Sequence, residues 1–361
     1  VYGLTIPQSA ATLAVTLIGY ELGFFNITAV NAVVIMILLT CLVGPWLVEK
    51  YGRRVAIEED EKPYEPSDAP QRILVPLANP ETSDELMDIA FMVRDPKSEE
   101  PVFPLTVARD GRDVQSQVAR GEKLLSHAVI HAAAAEVPVN PITSVDLNVA
   151  RGIGRTVSER RISNVIIGWN GAVSTRRRIF GTILDQLLGD LDEMIMVSKL
   201  ERPVNTFERM VVAIPPFAEL EPGFAGAVRS LKLMADQIGG DLLVISTDNR
   251  MPHLKKRVEP VKPEITIDYQ RLEQWSQLPG WLDDHIEEGD LFILISARER
   301  TLSWRPALDR LPGGLAQKYA DLSFMVVYPS EVAPEGVTAP EKEKLRFVKE
   351  QRVHIQQRGD E

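Results

Sequence analysis

The sequence predicts a mixed protein in which two transmembrane α-helices precede two α/β domains with parallel sheets. The stretch from Ile27 to Val48 carries no charge, and as a helix it is long enough to cross about 30 Å of hydrocarbon. From Arg72 onward, short apolar strands alternate with amphipathic helices, which is the order that gives a parallel sheet. This order recurs after about 130 residues, which predicts two copies of one compact fold.

The first fifty residues are expected to be the last two helices of a membrane domain. Residues 6–20 are uncharged and rich in small side chains, which let helices approach closely in lipid. Residues 21–26 predict a tight connection, with Glu21 a solvated carboxylate at the membrane interface. Basic residues in the stretch 50–54 place the end of the second helix in the cytoplasm. The alternative is a buried helix of a soluble domain, but every face of the second segment is apolar.

Changes in composition along the chain predict five regions. The predicted regions are the transmembrane helices at 1–50, an acidic linker with several prolines at 51–71, a first α/β domain at 72–200, a second at 207–330, and a charged tail at 331–361. The chain begins with valine inside an apolar pattern and has no basic leader, so we expect it to be the C-terminal piece of a longer protein.

The net charge and the pattern of cysteine and histidine residues exclude several classes of function. A net charge of −11 over 361 residues argues against a nucleic-acid partner. The single cysteine, Cys41, lies in an apolar run, which excludes a disulfide framework and a thiolate metal site. His127 and His131 are four residues apart on a predicted helix, but no third ligand is near, so no metal is expected.

One stretch of the first α/β domain predicts phosphate binding. A buried strand at 164–167 leads into Gly168 and Gly171, and nine residues later Gly181 and Thr182 begin a helix. Glycines let the backbone approach a ligand closely, the N-terminus of a helix attracts anions, and the Thr182 hydroxyl adds a hydrogen bond. The spacing G-x2-G-x9-G-(S/T) resembles the ATP-binding motif of the universal stress protein family, whose domains have a parallel, Rossmann-like sheet.

That resemblance implies where the adenine would bind. Nucleotide-binding members of the family hold it between the first two strands, with an aspartate after the first strand and a valine on the second. Val107 matches the valine, whereas the aspartate position falls at Ala78, and the neighbouring Asn79 is the expected substitute. This departure leaves AMP or cyclic di-AMP open as ligands beside ATP. The basic run at 176–178 is expected to clamp phosphates, to touch anionic lipid, or to be solvated.

The second α/β domain departs from the motif. Residues 296–299 replace the first two glycines, and Asp309 with Arg310 replaces the Gly-Thr pair. Because carboxylates repel phosphate, Glu299 and Asp309 argue against nucleotide binding there. We expect this domain to be a pseudo-symmetric partner of the first.

The N-terminal helices show a second resemblance. The patterns Pro7-Gln8-x-Ala10-Ala11-Thr12-Leu13-Ala14 and Thr40-Cys41-Leu42-Val43-Gly44-Pro45 resemble the end of the membrane domain in bacterial monovalent cation:proton (Na+/H+ or K+/H+) antiporters of the cation:proton antiporter-2 type. Some of these carry C-terminal universal stress protein domains. The resemblance implies missing N-terminal transport helices that hold the ion-binding residues, a multi-pass location in the inner cell membrane with cytoplasmic C-terminal domains, and a homodimer.

Together these features predict the C-terminal portion of an antiporter whose tandem cytoplasmic module binds adenine nucleotide and regulates transport. No catalytic residues are predicted, because the sequence shows no nucleophile elbow and no Mg²⁺-binding carboxylates at the glycine loop. Two alternatives stay open. One is a membrane-anchored nucleotide sensor without transport activity, and the other is a slow ATP hydrolase.

Overall fold

The computed structural model describes residues 10–40, 71–169, 182–299, 301–319 and 321–331. The chain forms two compact units, Val1–Tyr64 and Glu65–Glu361. The second predicted membrane segment extends past the described residues at its C-terminal end. The predicted linker and charged tail lie almost wholly outside them.

The first unit contains helix α1 (Ala10–Glu21) and helix α2 over 27–40. The Asn26 side chain accepts a hydrogen bond from the Ala29 backbone N–H at 2.8 Å, which caps the start of α2. The Phe25 ring lies against Gly19, where any Cβ would come within 2.5 Å of it. Within the described residues, no helix reaches the length and apolar composition that crossing a bilayer requires.

The second unit is built on one ten-stranded sheet. Its strands are β1 (Ile73–Pro76), β2 (Val102–Arg109), β3 (Ile142–Asp146), β4 (Asn164–Gly168), β5 (Met194–Lys199), β6 (Arg209–Ala213), β7 (Asp241–Thr247), β8 (Ile267–Leu272), β9 (Asp290–Ile295) and β10 (Phe324–Tyr328). Its α-helices are α3 (Ser83–Val93), α4 (Val114–Ala134), α5 (Val149–Arg160), α6 (Thr182–Asp190), α7 (Phe224–Ile238), α8 (Met251–Val258), α9 (Leu278–His285) and α10 (Pro306–Lys318). The predicted parallel α/β fold is confirmed.

The strand order is β3-β2-β1-β4-β5-β10-β9-β6-β7-β8. The first half of the sheet, β1 to β5, therefore has the same order as the second half, β6 to β10. Neighbouring strands are parallel within each half. The halves meet where β5 pairs antiparallel with β10, with Val197 opposite Val326. The sequence did not predict this antiparallel junction or a single continuous sheet.

Buried side chains form two clusters, because alternate residues of a strand point to opposite faces of the sheet. Ile73 and Val75 belong to one cluster, which lies under α3, α4, α7 and α8. Leu74 belongs to the other, under α5, α6, α9 and α10. Helices thus cover both faces, which explains why the central strands read as nearly continuous apolar runs.

The halves also meet through helices α3 and α7. Arg229 on α7 donates to the Asp95 carboxylate, just beyond α3, with Nη2 and Oδ2 2.6 Å apart. The Gln237 side chain donates to the Met92 carbonyl at 3.1 Å. Helix α3 therefore connects the first half of the sheet with the second.

Candidate functional site

A cavity of about 1080 Å³ opens at the carboxyl ends of β1, β2 and β4. The order β3-β2-β1-β4-β5 places neighbouring strands β1 and β4 at the point where the sheet changes direction of winding. Open parallel sheets bind ligands at this point, because the loops after the two strands lead to opposite faces and leave a crevice. We call it the switch-point cavity.

Three of the predicted site residues line the switch-point cavity: Asn79, Val107 and Gly168. Asn79 follows β1, and its Oδ1 accepts a hydrogen bond from the Glu81 backbone N–H at 3.1 Å. Val107 lies near the end of β2 and Gly168 ends β4. The fold therefore brings together three positions that are far apart in the sequence.

Thr182 is the first residue of α6, where the motif spacing predicts a helix to begin. The backbone N–H groups of a first helical turn lack intrahelical partners and attract anions. Gly171, Gly181 and the arginine run at 176–178 lie outside the described residues. The Ile183 and Leu184 side chains, which follow Thr182, line the switch-point cavity.

Gly168 has room around it. A Cβ built there would lie 3.5 Å from Leu86 Cδ1 and 3.9 Å from Thr82 Oγ1, which are ordinary contacts. Packing against the described residues therefore does not require glycine at the end of β4. A glycine with free space on the ligand side fits a position where ligand and backbone meet closely.

Trp169 was not predicted as a site residue, although it lies between two motif glycines. Its indole lines the switch-point cavity, and its backbone N–H donates to the Ser198 carbonyl on β5 at 2.7 Å. Three residues of α4 were also not predicted to line this site: Arg120, Lys123 and His127. Their i, i+3, i+7 spacing marks one face of a helix, but the sequence does not show that this face meets the cavity.

The two histidines considered as metal ligands pair with aspartates of α3. His127 Nδ1 lies 3.1 Å from Asp84 Oδ1, and His131 Nε2 lies 2.6 Å from Asp88 Oδ1. In the described parts of the chain, no group of three or more metal-binding side chains comes together. The pairs instead tie α4 to α3 beside the cavity.

The second half of the sheet places a buried arginine after the strand that corresponds to β4. Arg298 follows β9, and its guanidinium donates to the Glu193 carbonyl at 2.5 Å and to the Pro329 carbonyl. Burial lowers the pKa of this guanidinium. Arg298 thus lies at the place in the second half that corresponds to the glycine loop of the first. Its hydrogen bond to the Glu193 carbonyl links the two halves.

Other side chains fill the remaining positions of this second site. Asp309 on α10 accepts a hydrogen bond from Trp304 Nε1 at 3.1 Å, and burial raises the pKa of this carboxyl to about 6. After β6, the Phe217 ring centre lies 4.6 Å from the guanidinium of Arg250, which follows β7. Arg250 Nε donates to the buried Glu219 carboxylate at 2.8 Å. In the second half, side chains with internal hydrogen bonds thus stand at positions that correspond to the nucleotide motif of the first half.

No family model matches this chain. It is 25% identical over 345 residues to the Na(+)/H(+) antiporter NhaS5 of Synechocystis sp., a match that covers 87% of this chain and 48% of that protein. The chain thus spans about half the length of the curated relative it matches.

Among solved structures, a universal stress protein from Archaeoglobus fulgidus superposes with a TM-score of 0.50 at 13% identity, covering 72% of this chain and 98% of that one. The cytoplasmic domain of a prokaryotic cation chloride cotransporter gives a TM-score of 0.46 at 10% identity, covering 74% and 98%. The first of these similarities shows that the α/β part of the chain has the universal stress protein fold.

Proposed function

We propose that this chain is the C-terminal portion of a monovalent cation:proton antiporter, and that its α/β part binds an adenine nucleotide in the switch-point cavity and thereby regulates transport. The observation that carries the binding proposal is the convergence of Asn79, Val107 and Gly168 on one cavity. Similarity to NhaS5 along 87% of the chain supports the antiporter assignment. The two N-terminal helices would then be the last spans of a multi-pass, homodimeric membrane protein.

The charges around the cavity also support an anionic ligand. Although the chain carries a net charge of −11, no Asp or Glu is among the described residues that line the switch-point cavity. A cavity without carboxylates in an acidic protein is electrostatically suited to a phosphate-bearing ligand.

Regulation would follow from the position of the cavity beside the junction of the two halves. Trp169 lines the cavity and α3 borders it. Both also contact the second half of the sheet. A ligand biases a conformational equilibrium only as far as its affinities for the two states differ. A coupling of about 1–3 kcal/mol would change the affinity of the transport domain for its ion roughly 5- to 150-fold.

The binding proposal is tested by calorimetric titration of ATP, AMP and cyclic di-AMP into the 361-residue chain. Gly181→Asp, which places a carboxylate in the motif, is the comparison. We expect micromolar binding by the parent, none by the variant, and ATP recovered intact, because the proposed role is regulatory rather than enzymatic. Absence of binding by all three nucleotides would reject the proposal.

The regulatory proposal needs a separate test on the full-length protein in vesicles. The measurement is Na+- or K+-driven proton flux with and without the bound nucleotide, in the parent and in Gly181→Asp. A nucleotide effect in the parent alone is expected. Absence of cation-driven proton flux in a protein that still binds nucleotide would favour a membrane-anchored nucleotide sensor over an antiporter.

A further inference from the structure

The switch-point cavity reaches both faces of the sheet. Val107 faces the cluster under α5 and α6, whereas Thr106 faces α4, since a Cβ at Gly121 would lie 2.7 Å from Thr106 Oγ1. Both side chains line the cavity. The cavity is therefore lined from both faces of the sheet, by α5 and α6 on one side and by α4 on the other.

The side of the cavity that α4 lines is cationic. Arg120, Lys123 and His127 lie on one face of this helix and are the charged or titratable groups among the described lining residues. We call them the α4 cations, counting His127 as a cation when protonated. They lie on α4, whereas the described motif residues Gly168 and Thr182 lie at the end of β4 and the start of α6.

Within the described part of the chain, the α4 cations make few hydrogen bonds or ion pairs. Arg120 Nε donates to the Ser116 carbonyl of its own helix at 3.3 Å, and its terminal nitrogens have no partner there. Lys123 has no hydrogen bond or ion pair with a described residue. Asp84 Oδ1 lies 3.1 Å from His127 Nδ1, and Nε2 has no partner among the residues that the structure describes.

We propose that the α4 cations form a second anion subsite, so that the cavity takes a nucleotide with phosphate groups at two separate positions, as in a cyclic dinucleotide. This inference rests on the proposed nucleotide function. One phosphate would lie at the α6 N-terminus beside Gly168, and the other beside Arg120 and Lys123. A mononucleotide has its phosphates at one end of the molecule and would use one of the two subsites.

The test compares cyclic di-AMP with AMP in calorimetric titrations of the 361-residue chain. The variant Arg120→Gln/Lys123→Gln removes the two permanent charges, and Arg112→Gln, an exposed arginine before α4 that does not line the cavity, is the matched control. We expect the double variant to weaken cyclic di-AMP binding at least tenfold, since charge-assisted hydrogen bonds to phosphate are lost. AMP affinity should change less than twofold, and Arg112→Gln should leave both affinities unchanged.

A rescue variant distinguishes the effect of losing the positive charge from the effect of changed side-chain packing. Arg120→Lys, which keeps the charge, should retain most of the affinity for cyclic di-AMP. Equal weakening of AMP and cyclic di-AMP by the double variant would overturn the second subsite. Binding of AMP or ATP without cyclic di-AMP would also overturn it and would leave the proposed nucleotide function standing. Binding of none of them would reject the proposed function itself.

Discussion

Trp169 packs edge-to-face against Phe324, with their ring centres 5.2 Å apart and their planes at 74°. Trp169 belongs to the wall of the switch-point cavity, and Phe324 begins β10 of the second half. Aromatic pairs in this geometry contribute about 0.5–1.5 kcal/mol beyond the burial of their area. A residue beside the proposed ligand is thus in direct contact with the other half of the sheet.

Truncating Trp169 should weaken both the junction and the cavity wall. We expect Trp169→Ala to lower the free energy of unfolding by about 1–3 kcal/mol, because a half-buried aromatic contact is lost. Urea unfolding measures this loss, and Trp169→Phe, which keeps an aromatic edge, should recover much of it. An unchanged unfolding midpoint in Trp169→Ala would mean that the pair does not stabilise the junction.

The variant Gly168→Ala should weaken ligand binding and leave the stability of the fold nearly unchanged. Since a Cβ there meets only ordinary contacts, the unfolding free energy should change by less than about 1 kcal/mol. Nucleotide affinity should fall about tenfold or more, because the methyl group occupies space on the ligand side of β4. Calorimetry and urea unfolding on the same preparation test both parts. Unaltered affinity in a folded variant would place the ligand away from Gly168.

Asp309 should make the stability of the chain depend on pH. Burial raises the pKa of its carboxyl to about 6 from an ordinary 3.8, partly opposed by the hydrogen bond from Trp304 Nε1. The folded state therefore binds this proton more tightly than the unfolded state does. The ionised carboxylate destabilises the fold at pH 7, and this cost disappears as the pH falls through about 6 towards 4.

Asp309→Asn removes the charge and keeps an oxygen that can accept from Trp304. Allowing for its partial exposure, we expect the variant to be about 1–2 kcal/mol more stable than the parent at pH 7 and about equally stable at pH 4. Urea midpoints of both proteins at the two pH values measure the difference. The same gain at both pH values would show that Asp309 is not the titrating group.

Arg298 should be required for a stable junction. Replacing it with alanine leaves the Glu193 and Pro329 carbonyls without their buried donor. Hydrogen bonds to charged groups contribute about 1.5–3 kcal/mol each, so loss of the two should cost about 3–6 kcal/mol. Arg298→Lys keeps a charge but not the two-pronged geometry, and should recover only part of the loss. A loss below about 1 kcal/mol in the alanine variant would contradict this role.

Several elements were predictable because their signals are local. The apolar period of helix α3 (Ser83–Val93) and the continuous apolar run of strand β9 (Asp290–Ile295) are signals of this kind. Strand β8 was not predicted. It lies at the edge of the sheet and only Leu272 of its six residues is buried, so its sequence shows no continuous apolar run.

Helix α10 shows where local signals mislead. Gly313 and Gly314 argue against a helix, and Pro312 argues more strongly, yet α10 continues through all three. Burial of Leu308 and Leu315 against the sheet outweighs these propensities. For the site, the spacing of Gly168 and Thr182 was a local signal. The approach of α4 to the cavity was not, because it depends on how the chain crosses from β2 to β3.

The antiparallel pairing of β5 with β10 determines how the contact between the two halves responds when the protein is diluted. When two such surfaces belong to separate chains, their association weakens as the concentration of protein falls. Here they belong to one chain, which keeps their effective concentration high and constant. The second half therefore remains beside the cavity however few copies of the chain a cell contains.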